Sequence, residues 1–440
     1  METRTERFWR VAAETLENER TFARLMIVVS AIVLIVTSFG LWGDLDHYYA
    51  NAGDLLDGKM PYSEYQFEYP PLSLVFMLIP RLLTWNLESF HYGCAILTYV
   101  FLAIGTRFLT KMADEHIGST WQVRFILLCT VIFGSYFVIA RNDVYPAVMT
   151  IIALWFFLKA RYVPAFAIMS LAALTKLYPG LFIIPMLLFL ISERKWKDAA
   201  LSIVVVAAVG ILVELPFLIA DPSTAFAYLT YHSDRGIQVE SVASGLFMLG
   251  TLFVPTDITV GFGYGSDNLI GCAPDALAPW MNPIMAIALM IFAASILVRI
   301  WRNRLPTEKK SAVSCAMCAA MLMIFITFSK VYSAQYYIWI ALLLPFTQLS
   351  CLSLAHRKEI MLLMVPFGSA TAASYLGYGW FGLMDLNALP ILLVVLKNLF
   401  HLILMYELIH MCWFESGGYP EDRGAFPRLR KHLHAVPISG

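Results

Sequence analysis

Trp42-Gly-Asp44-Leu-Asp46-His-Tyr48-Tyr, a polar run carrying Asp54, Asp57 and Gly58, and then Pro61-Tyr62-Ser-Glu-Tyr-Gln-Phe-Glu-Tyr69-Pro70-Pro71 follow directly on the apolar run 25–41. An apolar run of that length is enough to cross a bilayer, so the acidic, aromatic and proline-punctuated stretch 42–71 begins just outside one membrane face. Carboxylates there stay hydrated yet lie close to anything dissolved in the lipid.

The rest of the chain agrees with a membrane setting. Of 440 residues 59% are hydrophobic and only 14% charged, and the mean hydropathy is +0.69. Such a chain carries more apolar surface than a soluble core needs, which predicts an all-α polytopic membrane protein. Formal charge is zero and no long basic block occurs, which excludes a nucleic-acid partner from the expectations. The seven cysteines are scattered. Cys315 and Cys318 share a helix face inside an apolar run, where thiols act as packing groups, so neither a disulfide framework nor a zinc site is expected of them.

Residues 1–24 form a charged amphipathic lead with Arg4, Arg7, Arg10, Arg20 and Arg24, expected in the cytoplasm. The span that follows lacks a cleavage signature and reads as a retained helix. Residues 72–87 are apolar but interrupted by Pro80 and Arg81, so they are read as half-inserted on the outer face. Crossings are then expected near 90–108, 124–140, 144–159, 162–175, 178–192, 199–219, 281–299, 311–329, 335–354, 359–378 and 388–411, about twelve with the first. The chain divides into the lead, one transmembrane domain over 25–411 with outer loops 42–88 and 220–280, and a cytoplasmic tail over 412–440.

With that threading, 24 of the 31 basic residues fall on the inner side, the side where lysine and arginine accumulate. Had 72–87 crossed fully, every later loop would invert. The seven remaining basic residues are Lys59, Arg81, Arg141, Lys176, Arg235, Lys330 and, inside the last span, Lys397. Four of these sit in polar clusters at outer helix ends: Arg141-Asn142-Asp143, Lys176-Leu-Tyr178-Pro179, His232-Ser-Asp234-Arg235-Gly-Ile-Gln238-Val-Glu240-Ser241, and Lys330-Val-Tyr332-Ser333-Ala-Gln335-Tyr336. A lone cation at a helix end snorkels to head groups. Four beside an acidic loop instead suit a reactant with a phosphate head and a greasy tail.

Asp44 with Tyr48, Gly58 and Tyr62, then Tyr69-Pro70-Pro71-Leu72 and the four clusters, taken in order over residues 40–345, resemble glycosyltransferase family 87. These are polyprenyl-phosphate-mannose-dependent mannosyltransferases of the GT-C superfamily, and the first mannosyltransferase of eukaryotic GPI synthesis looks like a more distant relative. The resemblance implies a GT-C fold in the plasma membrane, with an extracytoplasmic first loop carrying juxtamembrane helices. It also implies an inverting transfer, in which an acceptor hydroxyl attacks a β-linked mannosyl phosphate lipid and an α-mannoside forms. The expected partners are the polyprenyl-phosphate-mannose donor, a glycolipid or glycan acceptor, and membrane lipid.

Such a transfer needs a carboxylate to take the hydroxyl proton and fixed cations to meet the charge on the departing phosphate. Asp44 is the first candidate for the base. Asp46 would point the other way in an extended loop, and His232, available near neutral pH, is a further candidate. Either aspartate could instead cap a short juxtamembrane helix. Lys176, Arg235 and Lys330 are candidates for the phosphate. Arg141 and Asp143 serve either as a structural ion pair or, with Asn142, in sugar binding. Tyr48, Tyr62, Tyr69 and Tyr336 suit stacking on sugar rings or a membrane belt. Tyr178, His232, Gln238, Glu240, Ser333 and Gln335 complete the acceptor candidates. Lys397 and His401 form an i, i+4 polar pair in the last span without an evident partner.

A transporter would carry its polar residues at mid-bilayer on two similar halves, and no internal repeat is visible. A lipid-binding protein would not need the base. Within the enzyme reading a GT-C pentosyl- or glucosyltransferase stays open, since sugar choice lies in contacts a sequence does not display. No nucleotide-sugar motif occurs, and no cofactor or divalent metal is expected in the reaction, because fixed Lys and Arg can supply the same electrostatics.

Overall fold

A computed structural model of the chain describes residues 4–40, 42–231, 235–380 and 382–417. In chain order the helices of the first half are α1 (Arg4–Glu17), α2 (Glu19–Ser38), α3 (Leu45–Leu56), α4 (Ser73–Leu83), α5 (Leu87–His116), α6 (Trp121–Gly134), α7 (Phe137–Ala140), α8 (Val144–Leu158), α9 (Tyr162–Thr175), α10 (Ile183–Ser192) and α11 (Trp196–Ala220). Then come α12 (Ala227–Tyr231), β1 (Ile237–Gln238), α13 (Val242–Thr251), β2 (Thr259–Gly263), β3 (Ser266–Ile270), α14 (Cys272–Asn303), α15 (Thr307–Phe328), α16 (Tyr336–Leu343), α17 (Leu354–Trp380) and α18 (Ala388–Glu415).

Among the described residues, seven helices are long and apolar enough to cross a membrane: α2, α5, α11, α14, α15, α17 and α18. The other five expected crossings fall on shorter apolar helical segments, over 121–134, 144–158, 162–175, 178–192 and 336–348. Burial separates two kinds of helix. α15 is enclosed nearly throughout, from Ala312 to Thr327, whereas α11 buries only Ala199, Ser202 and Glu214 and exposes Leu201, Val204, Ile211, Leu212 and Ile219. An apolar helix exposed on so many sides is stable only where lipid is the solvent. α4 is 11 residues long, about 16 Å at 1.5 Å per residue, half of the roughly 30 Å of hydrocarbon.

Helix ends are set by local chemistry. Asn18 accepts from Thr21 N at 3.0 Å and starts α2, and Asn86 with Ser89 closes a reciprocal capping box at the start of α5. α8 and α10 stop in the same way. Ala160 (φ 55°) and Arg194 (φ 56°) take the left-handed conformation, and the next residues donate back across the turn, Arg161 N to Phe156 O at 3.0 Å and Lys195 N to Leu190 O at 2.9 Å. Left-handed residues with a side chain cost about 1 kcal/mol each, offset here by carbonyls satisfied at both helix ends. The result is two tight helical hairpins, α8–α9 and α10–α11.

The sheet is an addition to the all-α expectation. β1, β3 and β2 form a small antiparallel sheet in that order within the 220–280 loop. β2 and β3 are joined by Tyr264 (φ 52°) and Gly265 (φ 68°), with Gly263 paired to Ser266; two positive-φ residues make the hairpin turn whose twist matches the strands. All seven cysteines are free thiols.

Candidate active site

The α8–α9 hairpin puts the residue before α8, Asp143, beside the residue after α9, Lys176. Lys176 Nζ donates to Asp143 Oδ1 at 2.6 Å, and Trp339 Nε1 of α16 donates to the same oxygen. The carboxylate at a helix N-terminus and the ammonium at a helix C-terminus also suit the two helix dipoles. Asp143 is fully enclosed. Trp339 is sandwiched between Tyr178 and Tyr336, with centroids 4.2 and 3.7 Å away, and Lys176 lies 5.1 Å above its ring.

The first outer loop docks on this end of the bundle at two points. Leu72 N donates to Leu174 O at 2.9 Å, holding Tyr69-Pro70-Pro71 near the end of α9. Gly43, with φ at 60°, lies so close to Ala140 and Arg141 that an added Cβ would sit 3.4 Å from Ala140 O; the missing side chain is what lets the loop approach. Asp44 is thereby ion-paired with Arg141 while its side chain stays 38% exposed.

Residues 44–46 are not the extended segment expected. Asp44 occupies the N-cap position of α3 but makes no cap hydrogen bond, because its carboxylate turns to Arg141. Asp46 lies in the first helical turn, 67% exposed and 2.7 Å from His91 Nε2, and His91 stacks on Trp42. Nor do Arg141 and Asp143 pair with each other: their side chains diverge to Asp44 and to Lys176 and Trp339. Adjacent positions at the mouth of a helix face different neighbours.

The tyrosines of the loop turn inward rather than forming a belt. Tyr48 is buried and hydrogen-bonds to Tyr69 and to the backbone of Asn142; burial first, and the Asp143 charge second, push its phenol well above the ordinary value. It is a neutral hydrogen-bonding group at any working pH. Tyr62 packs against Phe67, Phe217 and Tyr228 and donates to Tyr69 O at 2.7 Å, so its ring braces the loop. Beyond it opens a cleft of about 490 Å³ lined by Tyr62, Tyr65, Phe67, Tyr231 and Tyr264.

The 232–241 and 330–336 clusters are laced together. Gln238 donates from its backbone to Lys330 O at 2.9 Å and from Nε2 to Ser333 Oγ at 2.9 Å, and accepts from Tyr332 N at 2.8 Å. Its side-chain amide is therefore spent on the neighbouring loop. Arg235 is buried and donates from Nε to Ser266 Oγ at 2.7 Å, and its charge acts on Tyr231 and Tyr336. Lys330 is equally buried. Gln335 holds the N-cap position of α16. His232 lies outside the described residues.

Lys397 finds the partner that its sequence setting did not reveal. Its Nζ lies 3.0 Å from Glu240 O, 3.4 Å from Tyr332 O, 3.5 Å from Glu240 Oε1 and 3.9 Å from the centroid of the Tyr332 ring. His401 instead faces Thr327 Oγ1 at 2.9 Å and Met323 O at 3.3 Å. Two further residues escaped the sequence reading. Trp339 is three positions after Tyr336, hence on the same face of α16. Glu68 directly precedes Tyr69 and hydrogen-bonds to Tyr69 and Tyr231; an added Cβ at Gly265 would lie 3.5 Å from its Oε2.

Asn142 Nδ2, Asp143 Oδ2, Tyr178 Oη and Tyr332 Oη are buried with no hydrogen-bond partner among the described residues. Buried polar atoms are nearly always paired, so these four stand out at the helix ends that carry Lys176 and Lys330.

No curated protein matches the chain. The sequence model of glycosyltransferase family 87 matches residues 67–327, more than half of the length and inclusive of Glu68, Asp143, Lys176, Arg235 and Glu240, and the chain belongs to that family.

Proposed function

We propose that this glycosyltransferase moves a mannosyl residue from a polyprenyl-phosphate donor to a hydroxyl of a lipid-linked or glycan acceptor, on the extracytoplasmic side of the plasma membrane. Asp44 takes the acceptor proton as the hydroxyl oxygen attacks the anomeric carbon. The bond from that carbon to the phosphate oxygen breaks on the opposite face, and the lipid phosphate leaves with the electron pair. Configuration inverts. Arg141 orients the Asp44 carboxylate, and Arg235 and Lys330 meet the phosphate, with Lys176 reaching it from its place on Asp143. Fixed charges in a dry setting stabilise the departing anion without reorganisation.

The observation that carries this reading is the convergence at one end of the bundle of a half-exposed carboxylate, three buried or half-buried cations and four buried polar atoms without a partner among the described residues. The polyprenyl tail is assigned to the apolar helices beside them. We assign the cleft lined by Tyr231 and Tyr264 to the acceptor.

The test is transfer itself. Purified protein is incubated with radiolabelled polyprenyl-phosphate mannose and a membrane lipid extract, in parallel with the corresponding glucose and pentose donors. Label should pass to an acceptor from the mannosyl donor, and Asp44→Asn should abolish the passage while donor binding stays within a few-fold. Transfer from the glucose or pentose donor alone would reassign the sugar. Full activity of Asp44→Asn would remove the base.

A further inference from the structure

At the far end of α17 and α18, away from the glycosyl site, two short motifs face each other. The first turns of α17 carry His356-Arg-Lys-Glu359, and α18 carries Glu407-Leu-Ile-His410 close to its C-terminal end. Spacing of i, i+3 puts each pair on one helix face, and the two helices pack along one another. His356 Nε2 lies 3.0 Å from His410 Nδ1 and 3.7 Å from Glu407 Oε1. One donor atom from each of these three residues lies within 4.8 Å of the other two. Donor atoms about 2.0–2.1 Å from a tetrahedral ion are about 3.3 Å apart, and the two His356 contacts, at 3.0 and 3.7 Å, bracket that spacing.

Charge and burial point the same way. Glu359 and Glu407 are almost wholly enclosed, and among the described residues none of their four buried carboxylate oxygens accepts a hydrogen bond from an N–H or hydroxyl donor, which leaves the two carboxyl groups to each other. Two adjacent buried carboxylates are costly unless a cation or a shared proton lies between them. Two neutral imidazoles and two carboxylates balance a divalent cation without residual charge. Behind the trio, His356 Nδ1 faces Glu415 Oε1 at 3.9 Å, and Lys309 holds the other Glu415 oxygen at 2.7 Å. That is the outer support that orients a ligating imidazole.

We infer that His356, Glu407 and His410, with Glu359 as the fourth donor, form a site for a divalent transition-metal ion that clamps α17 to α18. A set of two imidazoles and two carboxylates suits zinc or a neighbouring first-row metal. Lys397 precedes Glu407 by ten residues, about 15 Å along the helix, so the site is separate from the glycosyl-transfer cluster and carries no step of that reaction. The expectation that transfer needs no metal is unaffected.

The test uses full-length protein without an oligohistidine tag, stripped with chelator and titrated with Co²⁺ and then Zn²⁺ in detergent. Wild-type protein should take up one Co²⁺ per chain with the visible absorption of a tetrahedral ion, and Zn²⁺ should displace it. Glu407→Gln and His410→Ala should each weaken uptake at least 10-fold. His91→Gln, far from the site, should leave uptake unchanged. Zn²⁺ should raise the unfolding temperature of the wild type but not of Glu407→Gln, whose retained glycosyl transfer reports that it is folded. Should Glu407→Gln be recovered unfolded, Glu359→Gln takes its place. Absence of stoichiometric uptake by the wild type, or uptake equal in the variants, would overturn the site and leave the two carboxyls sharing a proton.

Discussion

Replacing Lys176 by Met removes the ammonium that lies 2.6 Å from Asp143 Oδ1. Asp143 has no exposed surface, its second oxygen has no partner among the described residues, and only the Trp339 N–H would remain. Breaking a buried pair by removing the cation leaves an uncompensated charge and costs about 3–5 kcal/mol. The opposite deletion is gentler. Asp143→Asn keeps an oxygen for Trp339, and the Lys176 side chain, 16% exposed, can swing toward water, so about 1–3 kcal/mol is expected. Restoring neutrality in the double variant Lys176→Met/Asp143→Asn should recover part of the loss, giving a coupling of about 1–3 kcal/mol. Reversible unfolding in mixed micelles, followed by tryptophan fluorescence, reads all four corners of the cycle. A Lys176→Met variant within about 1 kcal/mol of wild type, or one less harmful than Asp143→Asn, would refute the argument that the α8–α9 hairpin is closed by this pair.

Three other measurements follow. Asp44→Asn should lower the transfer rate by about 10²-fold or more, whereas Asp46→Asn, whose carboxylate is mostly exposed and pairs with His91, should stay within a few-fold; initial rates in the reverse order would move the base. Trp339→Phe keeps the stack between Tyr178 and Tyr336 but deletes the bond to Asp143, and should cost about 1–2 kcal/mol against about 3–5 for Trp339→Ala in the same unfolding assay; equal losses would mean that the stack contributes nothing. In a background with Cys272 and Cys351 replaced by Ser, Ser63→Cys and Thr256→Cys, both at exposed positions, should label with an impermeant maleimide on intact cells, and Arg302→Cys should not. Labelling of Arg302→Cys alone would invert the threading.

Hydropathy and punctuation made the helices legible. The segment expected at 162–175 is α9 to the residue, because Lys159-Ala-Arg161 and Lys176 bracket an unbroken apolar run. α4 likewise stops at Leu83, soon after Pro80 and Arg81. Which charge meets which was not legible. Arg141 and Asp143 are two residues apart yet face opposite neighbours, and Lys397 reaches a carbonyl 157 positions upstream, a contact that no local spacing encodes. The hairpin at Tyr264-Gly265 was missed because Tyr is an unusual first residue for a turn that prefers Asn or Asp there. The phosphate-binding, sugar-binding and base assignments rest on residue type and on this assembled geometry.

The reach of Lys397 back to Glu240 and Tyr332 has a consequence for how the protein is made. When the ribosome has finished the portion that matches the family, the first loop, the α8–α9 hairpin and the outer sheet have all been synthesised, but the residue that clasps the 232–241 and 330–336 loops from below has not. Synthesis must run from residue 327 to residue 397 before Lys397, within the last helix, is made. A nascent chain arrested ahead of residue 388 would thus hold the Gln238 bonds between these loops but lack the Lys397 contacts to Glu240 and Tyr332. Activity should appear late and all at once during translation, timed by the arrival of α18.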